Sequence, residues 1–231
     1  MLGSKTWSDS QEYEMNNAIR SMGKENFKGI YKDFLSGDLY ISKGHIPDDL
    51  MLKEFFDNSQ ENWAEFTNHI TGKVCLEIGP CLISALTYWD VVSERHVIEP
   101  LYPKISEWQI INLGRSTYED LICHGQGAEN TIGELVNSVD GAILCRNMLD
   151  HTPNWKDVLF NISNYAIKDC RLLLWTDLYH LRGTDRGHYN ITKDLEFFKG
   201  LITSLNFKII RGYQDLNRAE TLNYGCFAIK E

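Results

Sequence analysis

Three acids and a glycine at the ends of apolar runs mark where this chain can hold a ligand. In KVCLEIGPCLISAL, Glu77, Gly79 and Pro80 close an apolar run and precede a helix-like segment. A glycine there lets backbone approach a ligand, and a following helix would offer unpaired N–H groups. Glu99 and Pro100 close the next run, with Glu99 standing 20 residues beyond Gly79. An acid at that spacing can hydrogen-bond both hydroxyls of a ribose. After the third run comes GQGAEN, where Glu129 can accept from an adenine amino group and Ala128 leaves room for the ring. The alternative for Glu129 is a place at a helix start, favouring the helix dipole. Together the acids point to an adenosine-type ligand.

Two histidines offer proton transfer on the same edge. His151 in NMLDHTPNW and His188 in DRGHYNIT both follow apolar runs. An imidazole titrates close to neutral pH and can take a proton from a hydroxyl or a protonated amine. LDHTPN also reads as a helix start, with Asp150 or Thr152 as cap and Pro153 in the first turn. LRGTDRGHYN is long enough to act as a lid or substrate loop, and a solvated loop histidine is the other reading of His188. Tyr189 adds a hydroxyl beside it.

These residues need a sheet to bring them together. From Lys73 onward, KVCLEI, RHVIEP, DLICHG, GAILCRN, CRLLLWTDL, FKIIRGY and GCFAIKE read as strands. ISALTYWDVV, YPKISEWQII, ENTIGELVNSV, NWKDVLFNISNYAI and TKDLEFFKGLITSL read as the helices between them. Short apolar strands alternating with helices predict an α/β protein, with a largely parallel sheet covered on both faces. Only QDLNRAETLNY separates the last two strands, so these predict a terminal antiparallel pair. Residues 1–70 carry apolar positions at three- and four-residue spacing and read as a helical N-terminal cap, interrupted by the loop SGDLYISKGHIP. That loop gathers Tyr40, Lys43 and His45. Residues 71–231 form the core domain.

The totals narrow the partners. Among 231 residues, 43% are hydrophobic and 24% charged, ordinary for a globular chain. A net charge of −9 argues against a nucleic-acid partner. The six cysteines have no CxxC spacing, so no metal is expected from them, and those at 75, 145, 170 and 226 lie in or beside strands as small hydrophobes. The N-terminal residues show no secretory pattern and no apolar run approaches 18 residues, so a reducing, cytoplasmic location without a membrane span is expected. Oligomeric state is not legible.

From about residue 70 the chain resembles the class I S-adenosylmethionine-dependent methyltransferases. CLEIGP resembles their first motif, VIEP their acid-tipped second strand, GQGAEN their adenine-binding turn, and DGAILCRNMLDHTPNWKDVL their fourth strand and following loop. The resemblance implies a seven-stranded Rossmann-like sheet with an antiparallel terminal strand, S-adenosylmethionine as cofactor, and methyl transfer to oxygen or nitrogen of a small or medium-sized acceptor. It would place Gly79 under the methionine part, Glu77 ordering that loop, Glu99 on the ribose, and Pro100, Ala128 and Glu129 around the adenine. Asn147 would lie by the methyl group, Pro80 would stiffen the turn, and His188 and His151 would be the candidate bases. Cys81 and Ile83 stand where the family usually has glycine. That departure argues against a dinucleotide and hence against an NAD-linked oxidoreductase. It also motivates a second reading, a non-catalytic binding or scaffolding protein on the same fold.

Overall fold

A computed structural model describes residues 13, 15–17, 19, 20, 50–181, 183, 187–214 and 220–231. The loop with Tyr40, Lys43 and His45, and most of the helical cap, lie outside the described residues. The elements are α1 Leu50–Phe55, α2 Gln60–Ile70, β1 Val74–Ile78, β2 Glu94–Ile98, α3 Tyr102–Leu113 and β3 Ile122–His124. They continue with β4 Ala142–Arg146, α4 Trp155–Tyr165, β5 Arg171–His180, α5 Leu195–Ser204, β6 Phe207–Tyr213 and β7 Thr221–Lys230.

The seven strands form one sheet in the order β3-β2-β1-β4-β5-β7-β6. Strands β1 to β5 run parallel, while β7 pairs antiparallel with both β5 and β6. The predicted antiparallel ending is present. Central β5 reads RLLLWTDLYH and is buried over most of its length, because sheet and helices cover it from every side. Edge strand β6 alternates instead, FKIIRGY, with Lys208, Ile210 and Gly212 turned outward.

Alternate residues of each strand feed two cores. Leu76, Ile78, Ile143, Cys145, Leu172 and Leu174 pack with α4 and α5 on one face. Cys75, Val97, Ala142, Leu144, Leu173 and Trp175 pack with α1, α2 and α3 on the other. Ser59 caps α2 by accepting from the Asn62 N–H, and Trp63, Phe66 and Ile70 then fall on one buried stripe. Phe56, Phe66 and Phe227 stack around Trp63 and Trp89 at centroid distances of 4.8–6.4 Å. Such pairs add about 0.5–1.5 kcal/mol each beyond burial and weld α1 and α2 to the sheet. Met15 joins the same core.

Two predicted helices are absent. ISALTYWDVV contains only a 3₁₀ turn, Ala85–Tyr88, and ENTIGELVNSV only Gly133–Leu135. Thr87, Tyr88, Trp89, Val91 and Val92 are poor helix formers, and burying the Trp89 indole fixes the chain in a turn. In the second segment Gly133 and the left-handed Asn137 (φ 53°) prevent propagation. The segment after β1 therefore presents no helix N-terminus.

Candidate functional site

The carboxyl end of β1 is organised by Glu77. Its buried carboxylate accepts from Ser84 Oγ at 2.6 Å, from the Ala85 N–H at 2.7 Å and from Arg146 Nη2 at 2.9 Å. Gly79 follows at φ 67°, and a Cβ there would come within 2.4 Å of Met148 Cγ. Only glycine fits both the angle and the space. Pro80, half-buried, leads to Cys81, which adopts φ 58°. The Cys81 N–H donates to Glu99 Oε2 at 2.9 Å, and its carbonyl accepts from the Tyr118 hydroxyl. Burial, then the charge of Glu99, pushes the Tyr118 hydroxyl well above its ordinary pKa, so it remains a donor. The Leu82 carbonyl accepts from Gln109 Nε2 at 2.9 Å and Thr117 Oγ1 at 3.1 Å. Residues 79–84 are thus latched against β2 and α3.

Glu99, at the tip of β2, is 4% exposed. Its Oε1 accepts from the Leu101 N–H at 2.9 Å, so one carboxylate joins the loop after β1 to the start of α3. Pro100 is half-buried between them. After β3, Ala128 is buried and its carbonyl accepts from Asn161 Nδ2 at 2.9 Å, which anchors the turn to α4. The Glu129 carboxylate folds back over Gly127, where a Cβ would stand 2.4 and 2.6 Å from its two oxygens. Glu129 Oε2 is buried without a hydrogen-bond partner. Asn147, just past β4 at φ 52°, also has its buried Oδ1 unpartnered. An unsatisfied buried acceptor costs about 1–3 kcal/mol, so these two, at the ends of β3 and β4, are open to donors from outside the chain.

Neighbouring β2 and β3 carry a histidine pair. His96 Nδ1 and His124 Nε2 are 3.2 Å apart with rings 8° from parallel, flanked by Glu94 at 3.2 Å and Glu134 at 3.4 Å. Burial, then the neighbouring His96, lowers the His124 pKa from its ordinary 6.5, while Glu134 opposes the shift. Below 6.5 the unfolded chain therefore binds this proton more readily than the folded one. Stability contributed by neutral His124 is expected to be lost as pH falls from about 6.5 toward the folded-state pKa. Urea denaturation at about pH 7.5 and about pH 5.5 tests this, and His124→Gln should flatten the difference. An unchanged pH slope in the variant would rule out this source.

The end of β4 and the loop after β5 gather around Asp150. The 3₁₀ turn Leu149–His151 buries the Asp150 carboxylate completely. Its Oδ2 accepts from His188 Nδ1 at 2.7 Å and His180 Nε2 at 3.3 Å, and its Oδ1 from Thr176 Oγ1 at 3.4 Å. The Tyr189 N–H donates to the Asp150 carbonyl at 2.6 Å, tying the His188 loop to the same residue. The His151 and His188 rings lie 4.3 Å apart. Burial opposes ionisation of Asp150, but the His180 and His188 hydrogen bonds and the His151 charge outweigh it and hold the carboxyl well below the usual range. A carboxylate on Nδ1 fixes the tautomer and leaves His188 Nε2 as acceptor, an arrangement suited to a general base.

The structure brings His151 and His188 together and adds Asp150 and His180, which sequence reasoning missed. Asp150 read as a helix cap, but α4 starts at Trp155 and Thr152 Oγ1 accepts from the Asn154 N–H instead. The predicted strand CRLLLWTDL stops at Leu178, short of His180, whereas β5 runs through His180.

The strand order and the antiparallel β7 define the fold of the class I S-adenosylmethionine-dependent methyltransferases. No protein-family model matches the chain, and no curated protein matches it in sequence. Among solved structures, it is similar to a methyltransferase from Aquifex aeolicus that depends on S-adenosylmethionine (TM-score 0.52, 16% identity, 82% of this chain, 98% of that one). It is also similar to the 1,6-didemethyltoxoflavin-N1-methyltransferase of Burkholderia thailandensis, solved with 1,6-didemethyltoxoflavin and S-adenosylhomocysteine (TM-score 0.53, 14% identity, 94% and 89%). The [4+2]-cyclase SpnF is similar too (TM-score 0.54, 12% identity, 74% and 82%). At these identities the likeness is one of fold, and a cyclase among the neighbours means that chemistry must be argued from the site.

Proposed function

We propose that this protein is an S-adenosylmethionine-dependent methyltransferase acting at oxygen or nitrogen of a small or medium-sized acceptor. The observation that carries the reading is the pair of orphaned acceptors, Glu129 Oε2 and Asn147 Oδ1. S-adenosylmethionine carries a donor for each, the adenine amino group and the methionine ammonium. When bound, it supplies a methyl group on a sulfonium for in-line displacement. Glu99 holds the ribose with the lone pairs that Cys81 and Leu101 leave over, and Pro100 and Ala128 pack on the adenine. Gly79, Pro80 and Glu77 shape the loop beneath the methionine. His188, oriented by Asp150 and flanked by His151, removes the acceptor proton. The buried or half-buried free thiols support a reducing, cytoplasmic location. No helix among the described residues is long and apolar enough to cross a membrane. Residues 1–70, expected from the sequence to form a helical cap, are assigned to shaping the acceptor pocket.

One observation favours a second reading, a binding protein without turnover. The loop 79–84 already occupies Glu99 through Cys81. Calorimetry separates the two. The expected result is binding of S-adenosylmethionine and of S-adenosylhomocysteine, weakened in Glu99→Ala by about 1.5–3 kcal/mol for each charge-assisted hydrogen bond lost. No heat from folded wild type at millimolar ligand would defeat the proposal, and binding of NAD instead would point to an oxidoreductase.

A further inference from the structure

The residues around Asp150 are also a set of metal-ligating atoms. We propose that Asp150, His151 and His188 bind a divalent cation of the zinc, cobalt or nickel class. The inference goes beyond methyl transfer and does not rest on it. One carboxylate oxygen and two imidazole nitrogens from these residues lie within 4.8 Å of one another. Ligands about 2.0–2.2 Å from a common tetrahedral zinc ion stand about 3.3–3.6 Å apart. The 2.7 Å contact between His188 and Asp150 needs to open by about 0.6–0.9 Å, and the wider pairs close by side-chain rotation.

Charge argues in the same direction. The Asp150 carboxylate is fully buried, and its hydrogen-bond partners are two imidazoles and a hydroxyl, with no lysine or arginine among the described residues. Buried anions are stabilised by paired cations or by metal ions, and here the neighbours themselves are metal ligands. Two nitrogens and one oxygen select borderline cations over magnesium and calcium, which take oxygen shells. The outer groups are in place as well. His180 Nε2 and Thr176 Oγ1 hold the two carboxylate oxygens, the kind of contact that orients a ligating carboxylate. His188 keeps 19% of its side chain exposed, which gives the ion a way in.

A second ligand set, Asp150, Asp177 and His180, shares the same carboxylate. The first set is assigned because it includes the shortest contact and leaves His180 free to orient Asp150. Binding through Nδ1 requires the neutral His188 ring to change tautomer: its proton moves from Nδ1 to Nε2 as the metal–nitrogen bond forms, and the imidazole stays neutral. The hydrogen-bonded pair and the metal-loaded triad are therefore two states of the same atoms.

The test uses full-length protein stripped with chelator and needs neither cofactor nor acceptor. Zinc titration by calorimetry should show one equivalent bound. Cobalt should give a visible absorption band. His151→Gln and His188→Gln, checked for folding by circular dichroism, should each lower zinc affinity about tenfold or more, and His180→Gln less. These positions are used because Asp150→Asn risks the fold. Absence of binding to folded wild type, magnesium binding as well as zinc, or full affinity in both histidine variants would overturn the proposal. Loss in His180→Gln with none in His151→Gln would overturn the ligand set. Any of these results leaves cofactor binding, measured separately, untouched.

Discussion

Glu77→Ala is expected to cost about 3–5 kcal/mol of stability, the magnitude of breaking one side of a buried ion pair. The carboxylate is 1% exposed and meets three donors: Ser84 Oγ, the Ala85 N–H and Arg146 Nη2. Truncation leaves the Arg146 guanidinium, 15% exposed, facing a void where its 2.9 Å partner stood. It also frees the turn that seats Trp89, so the indole should report the same transition. Urea denaturation followed by tryptophan fluorescence measures the loss. Glu77→Gln keeps the volume and one acceptor and should lose less. Combining Glu77→Ala with Arg146→Met removes the charge that lost its carboxylate and should recover part of the deficit, which a simple cavity would not allow. A loss below about 1 kcal/mol in the single variant would show that the pair does not hold the corner together.

That corner also shows what a sequence can and cannot convey. The sheet was legible because β4 and β5 are continuous apolar runs bounded by turn residues, and only a parallel, doubly covered sheet buries such runs on both faces. The helix after β1 was misread because periodicity cannot register that Thr87, Tyr88 and Trp89 prefer a buried turn to a helical one. The acids at 77, 99 and 129 could be found because strand ends in this topology converge. Their partners could not, since Glu99 meets Cys81 only when Cys81 adopts a left-handed angle that nothing in its type requires. Asp150 is harder still. It lies 30 residues from His180 and 38 from His188, and complete burial of its carboxylate depends on how the 149–151 turn seats under the loop after β5. Residue types announced two histidines, and only the fold supplied the anion that makes them a system.

The largest effect on turnover should fall on His188. With metal-stripped protein and whichever phenol or amine from a panel supports release of S-adenosylhomocysteine, His188→Ala should lower kcat by about 10²–10⁴, the usual contribution of a positioned base. Affinity for S-adenosylhomocysteine should change less than about twofold, because the proposed cofactor residues lie on other strand ends. Asp150→Asn sharpens the argument. If it folds, the amide keeps the shape but can present an N–H to His188 Nδ1. Nδ1 must then accept, and the proton moves to Nε2, the nitrogen that should take one from the acceptor. A folded Asp150→Asn protein is therefore expected to bind cofactor product normally and turn over almost as poorly as His188→Ala. His180→Gln retains the 2.7 Å contact and should lose far less, so the three variants rank by tautomer control and not by proximity. Wild-type kcat in His188→Ala would mean that this imidazole does not take the acceptor proton, whatever binds beside it.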